Sequence, residues 1–199
     1  MHVLVIDAPH LVAAFANPRS DSARLVALCA YGTVTLEATG AGRHGDPAVY
    51  VERRDRIRGI VPPGTPDDLL HATSLEVLDD VATVARDVQR RRRNVHPHFV
   101  RKQIAHHAWN VLTDLGEAPA YDEPPPGREH VVRTAIVAGA GRIVSEDRQL
   151  LPPQTAGYRL GGRDLLVRSL ADYVTDELAG RFDFRALDPV EVLRRAAGA

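Results

Sequence analysis

The chain opens with an unbroken apolar run, Val3-Leu4-Val5-Ile6, and from there alternates between helix-like and strand-like hydrophobic spacing. Such a run is the pattern of a central parallel strand covered on both faces, and it delivers Asp7 at its carboxyl end. Pro9, with its fixed φ, then starts a helix. Ser20 caps a second helix containing residues 23–30, which the spacing ends at Gly32, a suitable C′ residue. Residues 33–39, alternating and rich in β-branched side chains, read as a second strand. Between residues 40 and 68 the pattern breaks into Gly, Pro and charge, with one strand expected at residues 48–51. A hairpin or flap suits that length better than coil, and Asp46, Glu52 and Asp55 read as solvated surface.

Thr73-Ser74-Leu75-Glu76 is a capping box with Thr73 at the cap. The helix it opens carries Leu75, Leu78, Val81, Ala82, Ala85 and Val88 on one face, with Asp79 and Asp80 off that stripe. It ends in Arg90-Arg91-Arg92-Arg93. Cations suit a helix carboxyl end, but four exceed that need, and a phosphate-contacting edge is the functional reading. A further helix is expected over residues 97–115, closed by Gly116, followed by a proline-rich connector to Arg128. Residues 129–151 then give a short helix, a tight Gly/Ala turn and the buried strand Ile143-Val144. Glu129 stands at the start of that helix and Asp147 just past the strand.

Alternating strands and helices call for an α/β fold, a parallel sheet with helices on both faces. At 199 residues and 44% hydrophobic content the chain suits one domain, with insertions expected at about 40–70 and 152–183. A formal charge of −1 gives no global basic field, so local clusters must carry any argument for nucleic acid. The single cysteine, Cys29, excludes an intramolecular disulfide framework and, in an apolar run, reads as a buried small hydrophobe. The apolar amino terminus is too short for a signal peptide or a membrane span, which favours the cytoplasm. His96, His98, His106 and His107 lack a carboxylate or cysteine at zinc-site spacing.

The stretch Glu129 to Leu151, with Ala138-Gly139-Ala140-Gly141-Arg142-Ile143-Val144-Ser145-Glu146-Asp147-Arg148-Gln149-Leu150-Leu151, resembles the PIN-domain nucleases and their pattern "aGAdyiVTgDkDLL". A weaker match, Ser74-Leu75-Glu76-Val77-Leu78-Asp79-Asp80-Val81, puts Asp80 on a functional acid of that family. The tail 184–193, with Asp188 as cap and Pro189 after it, resembles the family's last strand and helix. The resemblance covers roughly residues 1–39, 71–151 and 184–198. It implies a PIN-like three-layer sandwich, an RNA substrate, and membership among the toxin components of toxin–antitoxin modules, with an antitoxin partner and room for a homodimer. The sequence departs from the pattern at Ala8-Pro9, at Glu129, which replaces Asp, at Gly141 and at Gln149.

Four carboxylates, Asp7, Asp80, Glu129 and Asp147, are the candidate catalytic and metal-binding residues. Asp7 alone serves equally well as a helix N-cap, and Asp80 as a solvated helix acid. If they converge, each pair held ~4 Å apart repels by about 4 kcal/mol at the effective dielectric of a protein surface. A cation relieves this, and oxygen-only ligands favour Mg²⁺ or Mn²⁺. The expectation is metal-dependent hydrolysis of RNA, with Arg90, Arg91, Arg92 and Arg93 holding phosphates. A PIN-like protein that binds nucleic acid or a protein partner without cutting is the alternative, favoured by the departures. A metal-dependent reaction on a small substrate is a third.

Overall fold

In the computed structural model the described residues are 1–42, 45–92, 95–116, 126–151, 158–160 and 163–198. Arg93, one of the four candidate phosphate-binding arginines, lies outside them. The fold is a three-layer α/β sandwich around a mainly parallel sheet, in the order β3-β2-β1-β4-β6-β5. Strand β1 (His2–Ile6) pairs parallel with β2 (Leu69–Ser74) on one side and β4 (Arg142–Val144) on the other. Strand β3 (Asn110–Leu112) extends the sheet beyond β2, and β6 (Arg163–Arg168) beyond β4. Among the described strands only β5 (Tyr158–Leu160) runs antiparallel, against β6. The central position of β1 explains its pattern: Leu4, Val5 and Ile6 are all buried.

Helix α1 (Ala8–Ala16) follows β1 directly. The second helix, α2 (Asp21–Ala38), is capped by Ser20 as expected but does not stop at Gly32. Gly32 serves a close approach: a Cβ there would stand 2.0 Å from the Leu69 carbonyl oxygen of β2. Residues 33–38, expected as a strand, continue the helix, and Thr33 Oγ1 donates to the Cys29 carbonyl at 3.0 Å. Burial along the helix outweighs β-branched preference here. Cys29 is buried, as its apolar surroundings suggested.

Residues 48–51 are also helical, within α3 (Pro47–Arg58). Asp46, read as surface, caps it by accepting from the Ala48 N–H at 2.9 Å, and Pro47 occupies the first turn. Helix α4 (Leu75–Gln89) is capped by Ser74 rather than Thr73: Ser74 Oγ accepts from the Val77 N–H at 3.2 Å. Helix α5 (Pro97–His107) ends before residue 115 because Ala108 turns extended and the Trp109 N–H donates to the His71 carbonyl at 2.8 Å. That bond starts the edge strand β3.

Helix α6 (Glu129–Val137) and β4 fall where the periodicity places them. Gly139, at φ 66°, makes the turn between them, its N–H donating to the Ile136 carbonyl. After β6, Ser169 caps the short helix α7 (Leu170–Tyr173). Residues 184–186 form a 3₁₀ turn rather than a last strand, and Asp188 caps α8 (Pro189–Ala196) as expected.

Candidate active site

Strand order reverses direction at β1. The chain moves from β1 to β2 and β3 on one side, then crosses to β4 and β6 on the other. Loops leaving the carboxyl ends of β1 and β4 therefore diverge and open a crevice, the place where open α/β sheets bind ligands. The ladder closes with the Asp7 N–H donating to the Val144 carbonyl at 3.0 Å. Asp7 follows β1 at this point, and Ser145, Glu146 and Asp147 follow β4.

Asp7 is 1% exposed, and both its oxygens are engaged. Oδ1 accepts from the Ala8 N–H at 2.8 Å, capping α1, and Oδ2 accepts from Ser145 Oγ at 2.6 Å. The amino end of α1 favours a negative charge at this place. Ser145 Oγ also accepts from the Asp147 N–H at 3.0 Å, so one hydroxyl ties the two acids together. Asp147 turns back on its own loop, with Oδ1 accepting from the Gln149 N–H at 2.8 Å.

Arg128, immediately before α6, reaches into this group. Its Nε donates to Asp147 Oδ2 at 2.6 Å, and its Nη1 stands 3.6 Å from Asp80 Oδ2. His130, two residues on, lies 2.8 Å from the same Asp80 oxygen through Nε2. The base of α6 is fixed beside these acids by Thr134 Oγ1, which donates to Ser74 Oγ at 2.9 Å. Partial burial lowers the Arg128 pKa, but the hydrogen bond to Asp147 and the charges of Asp7, Asp147 and Asp80 outweigh it and hold the guanidinium above its ordinary value. The Gln149 N–H, with help from Arg128, keeps the Asp147 carboxyl below the usual range against the opposing effect of burial. Three carboxylates thus surround one guanidinium.

The structure therefore brings Asp7, Asp80 and Asp147 to one place and leaves Glu129 outside. Glu129 is exposed; its carboxylate is held low by backbone amides at Glu129 itself and at Gly127. The arginines stand apart as well. Arg90 is the C-cap of α4, ten residues beyond Asp80 and so roughly 15 Å along the helix axis. Arg90 pairs with Asp87 at 3.5 Å, and Arg92 Nη1 donates to the Ala16 carbonyl at the far end of α1.

Four residues of this edge carried no signal that hydrophobic periodicity could register. Arg128 closes a connector, His130 sits in a first helical turn, and Ser145 and Glu146 follow a strand. Glu146 Oε1 accepts from the Leu170 N–H at 3.0 Å and lies 3.6 Å from His10 Nε2. Burial pushes the His10 imidazole down, against the charges of Glu146 and Asp7.

The donors fit Mg²⁺ or Mn²⁺ in kind, being carboxylate and hydroxyl oxygens. In the arrangement seen, no group of three or more His, Cys, Asp or Glu side chains among the described residues is gathered to hold an ion. Arg128 and His130 stand between the acids instead. Among those residues, too, no helix is long and apolar enough to cross a membrane. Comparison with family models, curated proteins and solved structures returned no match.

Proposed function

We propose that the chain is a cytoplasmic, metal-dependent endoribonuclease of PIN type, hydrolysing phosphodiester bonds of single-stranded or structured RNA. The observation that carries this reading is the meeting of Asp7, Asp80 and Asp147, linked through Ser145 and Arg128, at the switch point of the sheet. The toxin role, the antitoxin partner and a homodimer come from the sequence resemblance alone.

Asp7, Asp80 and Asp147 would hold Mg²⁺ or Mn²⁺, with Ser145 fixing Asp7 relative to Asp147. A divalent ion there supplies Lewis-acid stabilisation of phosphodiester charge and a water of lowered pKa. The chain's own residues set orientation. Asp7 is immobilised by its two hydrogen bonds, Asp147 by the Gln149 N–H, and α6 by the Thr134–Ser74 bond. The exposed ends of α1 and α4, with Arg90 and Arg91, offer a track for RNA phosphates leading away from the acids.

The pairing of Arg128 with both Asp147 and Asp80 favours a second reading, a PIN-like binder of nucleic acid or protein that does not cut. The two part on incubation of mixed single-stranded RNA and DNA with Mg²⁺, Mn²⁺ or EDTA, beside the Asp7→Asn/Asp147→Asn double variant. Metal-dependent RNA cutting that the variant lacks supports the nuclease. No cutting, or equal cutting by the variant, sinks it.

A further inference from the structure

Resting on the reading of this edge as a metal site, we infer that Arg128 and a divalent cation compete for Asp80 and Asp147, so that Arg128 is the site's own closing cation. Three observations carry this. The Arg128 fork faces two acids that lie on different elements, α4 and the loop after β4, which a side chain placed only for packing has no reason to bridge. The same two acids are those an incoming ion needs, and the oxygen of Asp147 that Arg128 holds is the one not taken by the Gln149 N–H. Finally, Arg128 is attached just outside the first turn of α6 and is 31% exposed, so its side chain can leave without unpacking the core.

An ion that enters must displace the guanidinium, and a guanidinium that stays excludes the ion. The affinity of the apo protein for metal is therefore set below what its three acids alone would give. Ion binding should also release Arg128 at the rim of the crevice, where its five N–H donors match a phosphodiester.

The test is Mn²⁺ binding to the purified full chain, read by the loss of the free-ion paramagnetic resonance signal, for wild type, Arg128→Gln and Asp147→Asn. Arg128→Gln is expected to tighten Mn²⁺ binding tenfold or more, and Asp147→Asn to weaken it by a similar factor. Thermal melting gives a second readout: millimolar Mn²⁺ should raise the Tm of Arg128→Gln more than that of wild type. If Arg128→Gln does not fold, Arg128→Lys, which keeps the charge but loses the fork, should still bind Mn²⁺ at least threefold tighter. Equal affinities in wild type and the Arg128 variants, with Asp147→Asn weakened, overturn the competition and leave the metal site standing. No Mn²⁺ binding by any of the proteins overturns both.

Discussion

The two edges of the sheet are both polar, and they are balanced differently. At the amino edge each acid has its own cation. Glu177 pairs with Arg142, Asp68 receives the Met1 ammonium at 3.2 Å and faces His2, and Arg181 lines the same hollow. At the carboxyl edge Asp80 and Asp147 share the Arg128 guanidinium, Asp80 also meets His130, buried Asp7 is held by the Ala8 N–H and Ser145 rather than by a cation, and Glu146 faces His10. Balanced pairs need no ligand. Acids gathered from three elements around shared partners, partly out of water, are a costly arrangement for folding alone, and such places are where function concentrates.

Acid should destabilise the molecule through two buried imidazoles. His71 is buried in β2 and pushed down by burial to about 3, and His107, at the end of α5, is pushed down to about 4, mainly by burial and then by His106. Each folded pKa lies below the unfolded value, so the unfolded chain binds more protons and stability falls as the pH drops below about 6.5. The two together should cost roughly 4 kcal/mol between pH 6.5 and 4.5 at 1.4 kcal/mol per unit. Urea midpoints across that range measure it. Asp147, with its lowered pKa, contributes stability that is present above its unfolded pKa and lost only at lower pH, as the pH falls through its folded value.

Asp80→Asn sharpens the comparison at the level of activity. It should lower metal-dependent RNA cutting on the order of 10²-fold by weakening charge stabilisation at the crevice. Glu177→Gln, at the opposite edge, should leave the cutting rate unchanged. Initial rates on a labelled RNA decide it.

Removal of the cations is expected to matter less. Arg128→Gln leaves Asp147 and Asp80 without their guanidinium and should cost about 1–3 kcal/mol in metal-free buffer. Arg142→Gln breaks a partly exposed pair and should cost about 1 kcal/mol or less. Denaturant titrations of the two variants, side by side, test whether the edges differ in this sense. The smallest effect is reserved for the far ends of α1 and α4. Replacing Arg90 and Arg91 by Gln should reduce the slope of log affinity against log salt for single-stranded RNA by about 1.4, from two phosphate contacts. An unchanged slope would remove that surface from the account.

How much of this was legible in the sequence follows from what each signal reports. The unbroken run of residues 3–6 marked the central strand, and the caps Ser20, Asp188 and the turn at Gly139 marked helix ends, because each acts locally. Gly32 misled because the same residue suits a helix end and a close helix–strand approach, and only the second is true here. Residues 33–39 misled because β-branched preference is weak against burial in a central helix. Asp46-Pro47 was a helix start hidden in a polar stretch. Among the candidate residues, Asp7 and Asp147 could be singled out because they follow strands, and Asp80 through the resemblance carried by residues 74–81. Glu129 begins the right helix, but its carboxylate turns outward onto its own amide and that of Gly127 while Arg128 turns inward. Which of two adjacent first-turn residues faces a crevice depends on the path of the preceding chain, which spacing does not encode.

The proposal that the carboxyl edge takes a divalent cation is open to direct observation. Crystals of the protein grown with MnCl₂ and measured at the manganese absorption edge test it most directly. The account predicts an anomalous peak bounded by Asp7, Asp80 and Asp147, with the Arg128 side chain withdrawn from Asp147. Full Arg128–Asp147 pairing at saturating Mn²⁺, with no peak among those three acids, would contradict it.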